Sequence, residues 1–215
     1  MSDKLDAFCH VLPRDYADRL FALDGVPAVA TLCKRLMNIP VLVDPGVRFR
    51  QLDEFPGYRQ IINLAAPPVE DFGSPAVSTD FARRGNDGLA ELAAKHPDRF
   101  AGFCAAVALN DVDAAVTELD HAVKELGAVG VQIYTHVQGH PLDEDRFEPF
   151  WKRCAELDLL IQVHPCRNSS WPTTRPRNAP STRSGGPSAG STTCPRSWPT
   201  SSSPASSSAT RTSSS

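Results

Sequence analysis

The sequence predicts an α/β protein built on a parallel sheet, and an incomplete β/α barrel is the architecture that its pattern favours. Apolar segments rich in β-branched residues alternate with amphipathic segments along residues 1–172, which is typical of strands joined by helical crossovers. Near-continuous apolar strands such as "LLIQV" indicate a sheet that is covered on both faces. Polar or metal-capable residues stand just past several strand ends, where a barrel keeps its active site.

Five segments are predicted to be strands, because each is short and rich in apolar residues. In chain order they are residues 5–9, 58–65, 100–107, 128–135 and 158–165. This is about five of the eight strands that a complete barrel contains.

Helices are predicted between these strands at residues 81–96, 111–126 and 146–157, each with a start or stop signal such as the Pro97 that ends the first. An open doubly wound sheet is the competing architecture. No G-x-G-x-x-G or G-x-x-x-x-G-K-[ST] turn follows the first strand, which weakens the nucleotide-binding form of that alternative.

The composition changes sharply near Pro172. Residues 173–215 contain five Arg, no Lys, Asp or Glu, and no Leu, Ile, Val, Met, Phe or Tyr. Such a segment cannot bury enough apolar surface to offset the entropy lost on ordering it. We therefore predict a folded domain at 1–172 and a disordered Ser/Thr/Pro/Arg-rich tail at 173–215.

Charge and hydropathy argue against two classes of partner. The chain carries a net charge of −3, and its tail arginines lack interleaved aromatic residues, so no nucleic-acid partner is predicted. The N-terminal "MSDKLDAFCHVLP" has no long apolar run, so neither a signal peptide nor a membrane span is predicted and a cytoplasmic location follows. The six cysteines include no C-x-x-C pair, which indicates reduced thiols, and five of them are predicted to be packing residues.

Four segments carry a family resemblance: "DAFCHVLP", "NDGLAELAAKHPDRFAGF", "GAVGVQIYTHVQGHPLDEDRFEPFW" and "LLIQVHPC". With these, nearly all of residues 4–172 resembles the amidohydrolase-related metal enzymes of the aminocarboxymuconate-semialdehyde decarboxylase type. The resemblance implies a TIM-type metal-dependent hydrolase barrel with one divalent metal. It also implies ligands from a His-x-His pair after strand one, a His after strand five and an Asp after strand eight, with a catalytic His after strand six.

Carried onto this chain, the resemblance implies metal ligands at His10 and His164, with zinc the expected ion. Phe8 stands where the first His of the pair is expected, and a phenyl ring cannot coordinate a metal. From the residues alone, His10 could instead cap a strand end, and His164 could be a core histidine with its hydrogen bonds satisfied.

Two residues are predicted to bind substrate. Arg48 falls where relatives carry an arginine, and its planar fork suits a small-molecule carboxylate; the alternative is a solvated helix arginine. His136 follows strand four in a loop that could line a pocket mouth. No catalytic residue is assigned, because the expected His and Asp belong to later strands.

Three explanations fit the tail: a natural disordered segment, an artificial appended sequence or a shifted reading frame. Codon arithmetic favours the third, since a one-base slip turns codons for Leu, Ile, Val and Asp into codons for Ser and Thr. On this interpretation the chain is C-terminally truncated, and its open sheet edges make a homo-oligomer possible.

Two functions compete at this point. The first is a metal-dependent decarboxylase (a carboxy-lyase) or hydrolase acting on a small carboxylate, inactive as this truncated chain. The second is a non-catalytic half-barrel remnant or binding module.

Overall fold

The structure is a computed structural model that describes residues 4–23 and 27–166. The boundary predicted at residue 172 and the predicted disordered tail at 173–215 lie outside these described residues. No helix among them is both long enough and apolar enough to cross a membrane.

A parallel sheet of five strands forms the frame, and neighbouring strands follow one another along the chain as they do in a β/α barrel. The strand order is β1-β2-β3-β4-β7, and β5 pairs with β6 in a separate hairpin. The strands are β1 (Lys4–Val11), β2 (Tyr58–Leu64), β3 (Phe100–Ala106), β4 (Gly130–Tyr134), β5 (His136–Val137), β6 (His140–Pro141) and β7 (Leu160–His164). The incomplete barrel and its five predicted strands are confirmed.

Seven α-helices lie within the described residues. They are α1 (Arg14–Phe21), α2 (Pro27–Leu36), α3 (Pro40–Val43), α4 (Pro45–Leu52), α5 (Pro75–Lys95), α6 (Val112–Lys124) and α7 (Glu148–Glu156). The three predicted helices correspond to α5, α6 and α7. Helix α5 starts at Pro75, earlier than predicted, because the Ser74 hydroxyl accepts a hydrogen bond from the Val77 backbone and Pro75 suits the first helical position.

Two apolar clusters hold the helices against one face of the sheet. The first packs β1, β2 and β3 against α1, α2 and α5, and the second packs β4 and β7 against α6 and α7. Alternation along each strand then places the intervening side chains on the opposite face, which is the interior of the barrel. The residues on this interior face include Phe8, His10, Asn63, Gln132, Tyr134, Gln162 and His164.

Candidate metal centre

His10 and His164 meet at the carboxyl edge of the sheet. His10 lies near the end of β1, and His164 is the last residue of β7. Because all five strands are parallel, their carboxyl ends share one edge, and curvature of the sheet brings its first and last strands towards each other. The two imidazole ring centroids lie 5.1 Å apart.

Each of the two imidazoles is oriented through its Nδ1 atom. His10 Nδ1 lies 2.6 Å from Asn63 Oδ1, and His164 Nδ1 lies 2.8 Å from the carbonyl oxygen of Pro165. Burial lowers the pKa of His10; the Asn63 hydrogen bond opposes that effect, and the neighbouring His164 adds to it. The environment of His10 therefore favours the neutral imidazole, which is the form that binds metals.

Phe8 lies beside both imidazoles and contributes no donor atom. Its ring centroid is 5.1 Å from that of His10 and 5.8 Å from that of His164, and the side chain is 40% exposed. Among residues 4–23 and 27–166, no group of three or more His, Cys, Asp or Glu is arranged to hold a metal ion. A catalytic zinc usually has three protein ligands. His10 and His164 therefore supply two of the ligands that a divalent metal would need, and at least one more would have to come from elsewhere.

Arg48 lies on α4 and is turned inward. Its Nε donates to the Val41 carbonyl at 3.2 Å, Nη1 donates to Gln60 Oε1 at 2.8 Å, and Nη2 donates to the carbonyl of His10. The side chain is only 7% exposed, so the alternative of a solvated helix arginine is wrong. Its observed contacts anchor the end of β1 at His10, and a contact with a substrate carboxylate stays a prediction.

His136 lies in β5, which forms a hairpin with β6 across a two-residue turn, rather than in an open loop. The turn residues Gln138 (φ 49°) and Gly139 (φ 91°) both have positive φ, as a type I′ turn requires. His136 Nδ1 accepts a hydrogen bond from the Gly139 backbone at 3.2 Å, and its buried Nε2 has no hydrogen-bond partner among residues 4–23 and 27–166. The substrate-binding assignment of His136 stays a prediction.

Two further side chains reach this edge. The Tyr134 ring at the end of β4 lies 5.0 Å from the His164 ring, and Gln162 on β7 accepts a hydrogen bond from Asn63 at 2.7 Å. Tyr134 and Asn63 are recognisable in the sequence as polar residues near strand ends. Gln162 is not recognisable in this way, because it lies within an apolar strand. A Gln occurs at the middle of both β4 (Gln132) and β7 (Gln162), and this repetition of a polar residue in two apolar strands could have identified it.

A β/α barrel keeps its active site at the carboxyl edge of its sheet, and imidazoles placed there are potential metal ligands. The sequence profile of the amidohydrolase family matches residues 9–202, and the chain belongs to that family. The matched region extends past the boundary that the composition predicts at residue 172.

Relatives within this superfamily are decarboxylases. The chain is 40% identical over 128 residues to gamma-resorcylate decarboxylase of Rhodococcus jostii, covering 55% of this chain and 39% of that protein. It is 27% identical over 176 residues to 2-amino-3-carboxymuconate-6-semialdehyde decarboxylase of Dictyostelium discoideum, covering 75% of this chain and 48% of that protein.

A solved structure shares the fold. It is a dihydroxybenzoic acid decarboxylase from Polaromonas sp. with bound manganese and the inhibitor 2-nitroresorcinol; the TM-score is 0.62 and the identity 30%, covering 78% of this chain and 50% of that one. The chain thus spans about half, or less, of the length of the relatives that it matches.

Proposed function

We propose that this chain functions within a metal-dependent decarboxylase that acts on a small aromatic carboxylate. The observation that carries the proposal is the 5.1 Å approach of the His10 and His164 rings at the carboxyl edge of the sheet. The decarboxylases among its relatives support the reaction class, and the dihydroxybenzoic acid decarboxylase of Polaromonas supports the substrate class.

His10 and His164 would hold the metal ion in this proposal, and Asn63 and the Pro165 carbonyl would orient their rings. A divalent cation bound there supplies Lewis-acid polarisation of a substrate oxygen. Manganese, which the structure of the Polaromonas relative contains, supports a divalent ion in general. Zinc, the ion expected from the sequence, stays a prediction.

The surroundings of the histidine pair suit a flat aromatic substrate. Phe8 and Tyr134 place rings against His10 and His164, so a substrate ring could stack between aromatic walls. His136 could donate from Nε2, which has no hydrogen-bond partner in the described part of the chain, because its Nδ1 already accepts from Gly139 and the neutral ring therefore carries its proton on Nε2. In this proposal His136 binds a substrate oxygen at the mouth of the barrel, and Arg48 anchors the strand that carries His10.

We further propose that the 215-residue chain has no decarboxylase activity by itself. Its residues 167–215 contain no His, Asp or Glu, so they supply neither the expected carboxylate ligand nor the expected catalytic His. Loss of a general acid or base alone typically lowers a rate by ~10²- to 10⁴-fold. This composition also supports the proposal that the reading frame shifts near codon 172.

The test compares the 215-residue protein with a version whose frame is restored by one added base after codon 172. Both proteins are assayed for CO₂ release from 2,6-dihydroxybenzoate in the presence of Mn²⁺. We expect release from the restored protein only. Activity of the 215-residue protein would contradict its proposed inactivity, and a folded, metal-loaded restored protein that releases no CO₂ from any hydroxybenzoate would contradict the decarboxylase proposal.

A further inference from the structure

Two side-chain amides connect the first and last strands of the sheet across the interior of the barrel. Gln162 on β7 donates from Nε2 to the carbonyl of Ala7 on β1. Asn63 on β2 donates from Nδ2 to Gln162 Oε1 at 2.7 Å, and Asn63 Oδ1 lies 2.6 Å from His10 Nδ1. We call this chain of contacts, from Ala7 through Gln162 and Asn63 to His10, the amide relay.

The direction of every hydrogen bond in the amide relay follows from its first member. A backbone carbonyl such as that of Ala7 can only accept, so Gln162 must present its NH₂ group to it. Gln162 Oε1 then faces Asn63 and can only accept, so Asn63 must present its own NH₂ group there. Asn63 Oδ1 is left facing His10, and it too can only accept.

Burial prevents the amides from turning over. Asn63 is 0% exposed and Gln162 is 9% exposed, so water is not available to replace a lost partner. A flipped Gln162 would set its oxygen against the Ala7 carbonyl, and a flipped Asn63 would set its oxygen against Gln162 Oε1. Each flip leaves buried polar groups without a partner, which is costly.

We propose that the amide relay fixes the neutral His10 imidazole as the tautomer with its proton on Nδ1 and its lone pair on Nε2. Asn63 and Gln162 are then positioning residues, and the backbone carbonyl of Ala7 determines which nitrogen of His10 is free to act as a ligand. The further statement that this lone pair binds a metal rests on the proposed function. The assignment of the tautomer does not depend on it.

One other acceptor near the ring could compete with Asn63. The Leu64 carbonyl raises the pKa of His10, so it attracts a proton on the imidazole. It already accepts a hydrogen bond from Gln132 Nε2 at 3.1 Å. If it took the His10 proton on Nε2, the Asn63 oxygen would face an unprotonated Nδ1, leaving two acceptors in contact at 2.6 Å. The geometry therefore favours the Nδ1–H tautomer.

The decisive measurement is solid-state NMR of the metal-free 215-residue protein labelled with ¹⁵N-histidine, because it distinguishes the two ring nitrogens whether or not the protein associates. Spectra are recorded at pH about 8, where an ordinary imidazole is neutral, and the His10 signals are assigned by their loss in His10→Asn. We expect a protonated Nδ1 and an unprotonated Nε2 for His10. A protonated Nε2 in the wild-type protein would overturn the proposal.

Variants then test the amide relay itself. Asn63→Leu removes the acceptor, and the milder Gln162→Met removes only the group that orients Asn63, so one informative variant remains if the other does not fold. We expect both to shift His10 towards the Nε2–H tautomer, and to weaken Mn²⁺ binding by roughly 10- to 100-fold, the usual effect of losing a residue that orients a metal ligand. The matched control is Asn86→Leu, since Asn86 is equally buried but hydrogen-bonds to Ala106 and Glu118.

The control should leave the His10 tautomer unchanged. An unchanged tautomer in both Asn63→Leu and Gln162→Met would overturn the amide relay. A correct tautomer in a wild-type protein that binds no Mn²⁺ would sustain the amide relay while contradicting the proposed metal function, so the two failures are distinguishable.

Discussion

The ring centroids of Phe8 and His10 lie 5.1 Å apart on the same face of β1, and both rings face His164 on the far strand of the sheet. Three side chains thus converge at the carboxyl edge, but only the two imidazoles can donate electrons to a metal. Phe8 therefore decides how complete the site is, and it also supplies an aromatic surface for a substrate ring.

Replacing Phe8 with His should add a third ligand to the pair. A side chain at position 8 already approaches both His10 and His164, and three imidazoles match the ligand number of a catalytic zinc site. We expect Phe8→His to tighten Zn²⁺ binding by at least tenfold, about 1.4 kcal/mol, measured by competition with a chromophoric chelator. Phe55→His is the matched control, because Phe55 is also exposed but lies before β2, outside the histidine site. Equal affinities in the two variants would show that position 8 does not face the metal.

Arg48 should be a structural residue for the end of β1. Arg48→Met leaves the Val41 carbonyl, Gln60 Oε1 and the His10 carbonyl without their donor. Each unsatisfied buried group costs ~1–3 kcal/mol, but partial repacking should recover some of this cost. We therefore expect urea denaturation to show that Arg48→Met lowers the free energy of unfolding by about 2–4 kcal/mol. Arg50→Met on the exposed side of α4 should change stability by no more than about 0.5 kcal/mol. A similarly small effect for Arg48→Met, with lost substrate binding in the frame-restored protein, would favour the carboxylate-binding role instead.

Glu70 should make stability fall as the pH rises towards neutrality. This carboxyl is buried beside the Leu109 backbone N–H, which donates to Oε1 at 2.9 Å, and burial raises the pKa of Glu70 to about 7. The folded-state pKa lies above the unfolded value near 4.5, so the contribution to stability is fully present below pH 4.5 and is lost as the pH rises through 7.

Glu70→Gln keeps an oxygen acceptor for Leu109 and removes the titration. We expect this variant to match the wild type at pH about 4.5 and to exceed it by roughly 3 kcal/mol at pH about 8, as measured by urea denaturation, because raising the Glu70 pKa from 4.5 to about 7 corresponds to a difference of that size. The exposed Glu54→Gln serves as the control and should not alter the pH profile. A wild-type profile that stays parallel to that of Glu70→Gln would contradict the shifted pKa.

The open sheet should promote self-association. Within the described residues β1 and β7 pair on one side only, and both carry exposed apolar side chains, including Leu5 and Leu160. Unpaired strand edges of this kind attract other strands. We expect oligomers of the 215-residue protein in sedimentation velocity, and a shift towards monomer in Leu160→Lys. Met37→Lys, which changes an exposed apolar residue away from the sheet, should not shift the distribution. A monomeric wild-type protein would refute this expectation.

The sequence was sufficient to predict the sheet, because each of its strands is a short apolar segment in a chain where helices separate the strands. It did not predict α1–α4, although Pro27, Pro40 and Pro45 each begin a helix there. The segment between β1 and β2 holds several short helices, and short helices depend more on tertiary packing than on local pattern. The β5–β6 hairpin was missed because its Gln-Gly turn lacks the Asn-Gly or Asp-Gly signal of a type I′ turn.

The candidate site was predicted in part. Parallel strands bring their carboxyl ends to one edge, and the curvature of a barrel brings its first and last described strands together there, so the meeting of His10 and His164 follows from the predicted barrel. The contacts of Arg48 could not be predicted in this way, since a guanidinium on a helix can face water or the sheet, and only the packing of α4 decides between them. The same holds for Gln162, whose partners come from strands that are distant in the sequence.

Titration with Mn²⁺, monitored by electron paramagnetic resonance, tests the proposal that His10 and His164 together hold a divalent metal. Mn²⁺ is chosen because thiols prefer softer ions, so the free cysteines do not obscure the result. We expect one weak site in the 215-residue protein, with affinity lowered at least tenfold, about 1.4 kcal/mol, in His164→Ala and in His10→Ala, but unchanged in His140→Ala on the exposed hairpin strand β6. Equal Mn²⁺ affinity in the wild type, His10→Ala and His164→Ala would contradict it.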